Sequence, residues 1–407
     1  MSQETTHIPK LRFPEFEGEW ETKTLNSLFL VKHGFPFKSE FFVNQGNLIV
    51  TTPGNFDPEG GFRHQGPKEK FYSTLDFPSE YILKKNDLLT AMTEQAEGLI
   101  GSAILIPEDD KFLHNQRLGL LQLTDEADSF FVFHYLKTFR VRKDLSLTAA
   151  GTKVRHTSPE KIVKVKAQYP HKPEQQKIAT FLTAVDQKIE VLQRKKDQLT
   201  AYKKGMMQKL FSQEIRFKDE DGKGFPEWEE KKAKDLFKNH SNKNHEGDLP
   251  ILSASQEYGM IYRDGSGIDI QSSEKSVKSY KIVEPGDFVI TLRSFQGGLD
   301  YSSLRGICSP AYVILKNKEP INEDFYRFFF KKDSFIERLS KTTVGIRDGK
   351  QITYENFGAL KLPCPSISEQ QKIANYLTAL DQKIELTDKK LAQAQSFKKG
   401  LLQQMFI

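Results

Sequence analysis

A segment of seventeen residues occurs twice in this chain of 407 residues. It reads EQQKIATFLTAVDQKIE from Glu174 and EQQKIANYLTALDQKIE from Glu369. The copies differ only at Thr180/Asn375, Phe181/Tyr376 and Val185/Leu380. The match continues without a gap, so that YKKGMMQKLF at 202–211 falls on FKKGLLQQMF at 397–406. A shorter echo joins FEGEWETKTLNSLF at 16–29 with FPEWEEKKAKDLF at 225–237. Self-similarity at one fixed offset marks a duplicated structural unit. The chain reads as variable block, shared helix, variable block, shared helix.

The shared segment has a helical period. In the first copy Ile178, Leu182, Val185, Ile189, Leu192, Leu199, Met206 and Leu210 follow alternating steps of four and three, and Lys196 and Lys203 fill the two missing positions. The second copy has Ile373, Leu377, Leu380, Ile384, Leu391, Ala394, Leu401 and Met405, interrupted by Thr387 and Lys398. This is the apolar seam of a coiled coil, sustained for about five heptads. An ordinary amphipathic helix would bury a broad face on its own block. Here the stripe is narrow and the flanks are densely charged, as a helix-on-helix seam requires. If a pseudo-two-fold axis relates the copies, they run antiparallel. Residues 174–211 as one helix would extend roughly 57 Å. Pro173 suits the first turn of the first helix, and Ser368 with Gln371 has the pattern of a capping box at the second. Gly205 and Gly400 each weaken a helix by about 1 kcal/mol, so bending near the ends is expected.

The blocks between the helices are mixed. DFVITL (287–292) and SPAYVILKN (309–317) read as strands after Gly and Pro punctuation, while DEADSFFVFHYLKTF (125–139) and NEDFYRFFFKKDSFIERL (322–339) read as helical. Both blocks show an Asn-Asp or Gly-Asp turn, a strand, a further strand, an amphipathic helix and a glycine-bearing loop. The expected fold is therefore α+β: two similar globular domains at 1–172 and 213–367, separated by an antiparallel coiled coil of two long repeated helices at 173–212 and 368–407.

Composition bounds the function without naming it. Lys and Arg number 60 against 54 Asp and Glu, a net charge of +6, which permits nucleic-acid binding and does not require it. No apolar run approaches the ~18 residues of a membrane span. The opening MSQETTHIPKLRF lacks the layout of a signal peptide, and the two cysteines, Cys308 and Cys364, form neither a disulfide framework nor a zinc site. A cytoplasmic protein with reduced thiols is expected. His240 and His245 have the wrong spacing for a helical metal pair. Pro-Pro is absent, and with it the (N/D)PP(Y/F) pattern of adenine methyltransferases; no phosphate-binding glycine loop is found either. No catalytic or metal-ligating set is expected.

With these features in order, the whole chain resembles the specificity subunits of type I restriction–modification enzymes. The resemblance rests on Pro170 before Glu174-Gln175-Gln176-Lys177-Ile178, and on Pro363-Cys364-Pro365 before Glu369-Gln370-Gln371-Lys372-Ile373. In the first block it rests on HGFPFKSEFF (33–42), AMTEQAEGLIGSAILIP (91–107) and HNQRLGLLQL (114–123). In the second it rests on YKIVEPGDFVITLRSFQGGL (280–299), GICSPAYVIL (306–315) and GIRDGKQI (345–352). The resemblance implies two target-recognition domains, each reading one half of a split, asymmetric site on double-stranded DNA. It implies that the helices set the gap and dock two methyltransferase subunits that modify adenine with S-adenosylmethionine. Motor and nuclease subunits using ATP and Mg2+ would complete the complex, and this chain would bind no cofactor itself. A stand-alone sequence-specific DNA-binding or scaffold protein is the alternative, distinguished by firm binding without partners.

Base edges are read by Arg, Lys, Asn and Gln, and phosphates by basic and hydroxyl groups. Such residues fall in corresponding loops of the two blocks. The first-block candidates are His33, Lys38, Thr93, Gln95, Asn115, Gln116, Arg117, Lys153, Arg155 and His156. The second-block candidates are Arg293, Ser294, Gln296, Arg305, Arg347, Lys350 and Gln351. For methyltransferase docking the candidates are outward residues flanking the seam: Gln176, Lys177, Asp186, Lys188 and their repeats Gln371, Lys372, Asp381, Lys383.

Overall fold

Two turns of the same kind start the central strands of the two blocks. Asn86 (φ 68°) and Gly286 (φ 94°) occupy the left-handed region that Gly and Asn tolerate best. The next residue, Asp87 or Asp287, accepts a hydrogen bond at 2.8 Å from the backbone N–H of Lys84 or Glu284. Burial then pushes the Asp287 carboxyl up to about 6. From these turns run the buried strands Leu88–Ala91 and Phe288–Ile290. The computed structural model describes residues 7–57, 61–94, 98–256, 258–263, 277–343 and 351–407. It divides into two compact units, Met1–Gln193 with Lys389–Ile407, and Arg194–Asp388. Each unit holds one variable block and half of each long helix.

In the first unit, Phe29–His33, Leu118–Leu123, Leu88–Ala91 and Ala103–Leu105 form an antiparallel sheet in that order. A second sheet orders Phe42–Val43, Phe71–Tyr72, Ile49–Thr51 and Phe112–His114, the last two parallel. Glu21–Thr24 pairs with Lys166–Tyr169 just before the long helix. The second unit repeats the first sheet as Phe237–His240, Val313–Asn317, Phe288–Ile290 and Asp300–Tyr301, and the entry pair as Glu229–Lys232 with Lys361–Cys364. In place of the second sheet it has, among its described residues, the hairpin Leu252–Ser255/Gly259–Tyr262 and the pair Lys281–Val283/Gly306–Cys308. The blocks share a base and differ at the opposite end.

Two expected elements are shorter than the sequence suggested. SPAYVILKN is a strand only over Val313–Asn317, because Ser309 closes a turn whose backbone oxygen accepts from Tyr312 N–H. The stretch 322–339 is two helices, Glu323–Phe329 and Asp333–Ser340. Phe328, Phe329 and Phe330 are all buried. A straight helix turns about 100° per residue and could not aim three consecutive rings at one core, so the chain breaks. The first block breaks likewise, into Ser129–Tyr135 and Phe139–Leu147.

The long helices span Lys172–Phe211 and Ile367–Gln404, and both run uninterrupted through Gly205 and Gly400. The expected capping box at Ser368 and Gln371 is not formed. Ser366 caps instead, its Oγ accepting from Glu369 N–H at 3.3 Å, and Ser368 lies within the helix. The Glu369 side chain is held elsewhere. It accepts from Arg216 Nε (3.1 Å) and Nη2 (3.0 Å) and from Trp228 Nε1 (2.9 Å). Glu174 repeats this with Arg12 (2.8 Å to each carboxylate oxygen) and Trp20 (3.2 Å). The following Gln175 and Gln370 are buried too, donating to the carbonyls of Pro170 and Pro365 at 2.9 and 2.8 Å. The identical Glu-Gln pair thus fastens each helix to its block.

The seam is shared between the long helices and the blocks. In the first unit Ile178 and Leu182 join Leu401, Met405 and Phe406 around Trp20, Phe131 and Tyr135. In the second, Leu210 and Phe211 join Ile373, Leu377 and Leu380 around Phe325 and Phe357. Each such side chain taken from water contributes about 1.5–3 kcal/mol. Toward the middle, Ile189, Leu192, Leu199 and Ile384 are only half-buried, although Leu391 is buried. There charged pairs bridge the helices: Lys196–Asp388 and Lys203–Asp381, each 2.5 Å. A step of seven residues forward on one helix meets a step of seven back on the other, which establishes antiparallel packing.

Candidate nucleic-acid interface

Backbone pairing gathers most of the first-block candidates on one edge. A Cβ at Gly34 would lie 2.1 Å from the Asn115 carbonyl oxygen, so glycine is needed for residues 33–35 to approach 115–117. Phe35 bridges Asn115, and Gln116 N–H donates to the Phe35 carbonyl at 3.1 Å. Met92 N–H donates to the Arg117 carbonyl at 3.1 Å, and Met92 in turn accepts from Thr157 N–H at 2.9 Å. The adjoining ladder sets Arg155 opposite Glu94 and His156 opposite Thr93. His33, Thr93, Asn115, Gln116, Arg117, Arg155 and His156 therefore lie on neighbouring backbone segments, with Lys153 on the loop leading in. Lys38 stands apart, exposed and 3.9 Å from Glu40. Gln95 lies outside the described residues.

The side chains in this group have different jobs. His33, Gln116, Arg117, Lys153 and His156 are exposed. Thr93 and Asn115 are buried: Thr93 Oγ1 is 3.0 Å from His156 Nδ1, and Asn115 Oδ1 accepts from Arg117 N–H at 3.0 Å. Arg155 donates to Glu94 Oε1 (2.7 Å) and to the Ser146 carbonyl (2.8 Å). Glu94 is 2% exposed and also accepts from the N–H groups of Leu99 (2.7 Å) and Ile100 (2.9 Å). Arg155 is thus a strut for this edge, while Gln116 and Arg117 carry the outward donors suited to base edges.

In the second unit the structure joins fewer candidates. Arg293 and Gln296 are exposed on either side of buried Ser294, whose Oγ accepts from Thr291 N–H at 2.8 Å. This turn is clamped by a residue that the sequence did not single out. Lys331 Nζ donates to Asp300 Oδ1 (2.9 Å), to the Gly297 carbonyl (2.9 Å) and to the Gln256 carbonyl (3.3 Å). Burial raises the Asp300 carboxyl pKa, and the Lys331 ammonium opposes that shift. Nothing local in the sequence signals the clamp, since Lys331 and Asp300 are 31 residues apart. Arg305 stands just before Gly306 of the separate Lys281–Val283/Gly306–Cys308 strand pair, 3.4 Å from Glu284. Gln351 is exposed, and Arg347 and Lys350 lie outside the described residues.

Of the docking candidates, Gln176, Lys177, Lys188, Gln371 and Lys383 are exposed. Lys177 pairs with Glu15 at 3.1 Å, and Lys372 donates to the Lys218 carbonyl at 2.8 Å. Asp186 and Asp381 do not face outward as expected. They lie at the seam, 2.5 Å from Lys398 and Lys203 respectively. These two ion pairs are one pair repeated, and they explain two of the three lysines that interrupt the apolar period, Lys203 and Lys398. His245 is used locally, accepting from Gly247 N–H at 3.0 Å and lying 3.0 Å from the Tyr280 carbonyl. Among the described residues no group of His, Cys, Asp and Glu could hold a metal ion, and no helix is long and apolar enough to cross a membrane.

Two units of one design, each with half of each long helix, match a known family. The family model for the type I restriction modification DNA specificity domain matches the chain twice, at residues 17–201 and 226–396, and the chain belongs to that family. It is 25% identical over 345 residues to the type I restriction enzyme MjaVIII specificity subunit of Methanocaldococcus jannaschii, covering 79% of each protein. The S subunit of the type I restriction–modification system from M. genitalium has the same fold, with a TM-score of 0.61 at 19% identity over 98% of this chain and 99% of that one. A chain from a structure describing complex assembly and conformational transition of the type I R-M system gives a TM-score of 0.52 at 15% identity, covering 95% and 96%.

Proposed function

We propose that this chain is the DNA-recognition subunit of a type I restriction–modification complex, each block reading one half of a bipartite, asymmetric DNA target. The observation that carries the reading is the duplicated specificity domain whose two copies keep their helix anchors and differ at their polar edges. In the first block Gln116 and Arg117 read base edges, with His33, Lys153 and His156 on phosphates; in the second, Arg293 and Gln296 do the reading. The antiparallel helices fix the number of unspecified bases between the halves. Their repeat-equivalent outer faces dock two adenine-N6 methyltransferase subunits. Motor and nuclease subunits complete the complex in the cytoplasm. The covalent chemistry, with S-adenosylmethionine, ATP and Mg2+, belongs to those partners.

Co-expression with a methyltransferase subunit, followed by genome-wide mapping of methylated adenine, tests this. The expected result is one split motif, seen only when both chains are present. Arg117→Ala should relax one half of the motif and Arg293→Ala the other. Absence of any motif, or firm site-specific binding by this chain alone, counts against the reading.

A further inference from the structure

The first unit has a groove whose lining includes neither Gln116 nor Arg117, nor His33, Lys153 or His156. Helix Phe139–Leu147 forms one wall, the end of the second long helix forms the other, and Gly98 and Ile100 lie at its margin. Phe139 is 83% exposed and Leu147 73%, and Leu402 adds a third apolar side chain from the facing wall. The basic residues lining it are Lys137, Arg142, Lys143, Arg155 and Lys399, with no carboxylate, though burial pulls Lys137 down to about 7 and leaves it little charge to offer. Arg155 is held by Glu94, and Arg142 donates to the Gly98 carbonyl. Lys143 and Lys399 are exposed. Two large apolar side chains flanked by unbalanced positive charge are unusual on a surface with nothing to cover it.

The repeat supplies a comparison within the same chain. The corresponding groove of the second unit is lined by Lys204, Met207 and Gln208 from the first long helix, matching Lys399, Leu402 and Gln403. Its other wall differs. Asp333 stands where the first unit has Phe139, and Glu337 where it has Lys143. Lys204 is paired with Asp333 at 3.0 Å, so in the second groove the counterpart of Lys399 already has a carboxylate partner. A surface serving two identical partners would be kept in both units. Among the described residues this one is built once.

Phosphate binding needs cations alone and gains nothing from Phe139 and Leu147. A flat anionic membrane would not fill a groove. An amphipathic helix with acidic borders satisfies both the apolar floor and the cationic rim. We propose that this groove docks an acidic amphipathic helix of a protein partner, one per chain, its apolar stripe on Phe139, Leu147 and Leu402 and its carboxylates on Lys143 and Lys399. This goes beyond the methyltransferase docking proposed above and does not depend on it.

The test uses the full-length chain and a fluorescein-labelled peptide of about 18 residues with Leu and Glu at helical spacing, read by anisotropy. A twin with Lys for Glu is the control. Saturable one-to-one binding of the acidic peptide, and none of the twin, is expected. Phe139→Ser with Leu147→Ser, and Lys143→Glu with Lys399→Glu, should each weaken binding by about tenfold or more. The charge-reversed variant should gain affinity for the Lys twin, whereas Lys204→Glu in the second unit should change nothing. All four first-unit side chains are exposed, so these variants should keep the parent melting curve. Absence of saturable binding, or equal binding by the groove variants, overturns the proposal. So does competition by an unrelated DNA duplex or by phosphatidylglycerol vesicles that is lost in the same variants.

Discussion

At the residue scale, the polar side chains that matter most to the fold are the buried ones. Glu174 and Glu369 each accept hydrogen bonds from an Arg and a Trp, so their burial costs less than it would alone. His134 has no such support: it is 1% exposed and neither ring nitrogen has a hydrogen-bond partner. Asp186 Oδ2 is 4.0 Å away, but Lys137 and Lys398 face the ring as well. Burial pulls His134 down to about 2 and His114 to about 4, from an ordinary 6.5. Between those values the unfolded chain binds protons that the folded chain refuses. Stability should therefore fall as pH drops below about 6.5, by up to about 1.4 kcal/mol per pH unit for each histidine. His114 stops contributing below about 4. Urea midpoints at pH 7, 6 and 5 should show this decline, and His134→Leu should reduce its slope while raising stability at pH 7 by about 1 kcal/mol. An unchanged slope in that variant would place the acid sensitivity elsewhere.

At the element scale, the helical seam combines apolar packing at its ends with ion pairs toward its middle. Lys203–Asp381 and Lys398–Asp186 are equivalent pairs, whereas Lys196–Asp388 has Leu391 and Gln193 at the matching positions. These pairs are partly exposed, and a double-mutant cycle on Lys203 and Asp381 should give a coupling of about 0.5–1 kcal/mol. The swap Lys203→Asp with Asp381→Lys should recover most of the loss seen in either single variant. Equal losses in the swap and the singles would mean that the pair adds no register information. The helices themselves were legible, because apolar residues every three or four positions survive any choice of partner. The direction of Asp186 was not. It follows Val185 on the flank of the seam, and whether such a residue faces water or the other helix depends on the partner's register. Buried Glu174 was hidden for a similar reason, since Arg12 and Trp20 lie 162 and 154 residues away in sequence. Asn115 and Ser294 show the same limit at the reading edges: a small polar residue that shapes a turn has the same sequence signature as one that meets a base.

At the scale of the whole molecule, the proposed function has the repeat separate the choice of bases from the distance between them. The edge residues belong to the blocks, while the middle of each helix makes few block contacts. Removing 193–199 from the first helix and 385–391 from the second takes one heptad from each. It deletes Lys196 and Asp388 together and leaves Lys203–Asp381 and Lys398–Asp186 intact. Seven residues shorten each helix by about 10 Å and rotate its continuation by only about 20°, so both apolar ends still meet their blocks. A seven-residue deletion in one helix alone would put the pairs out of register and should destabilise the chain. With the paired deletion, methylation mapping should return the same two half-sites with a shorter gap. The half-sites are unchanged because no edge residue has moved within its own unit, and the gap shrinks because the frame has. A motif with altered half-sites and the original gap would mean that the helices take part in reading the bases and do not act as a ruler.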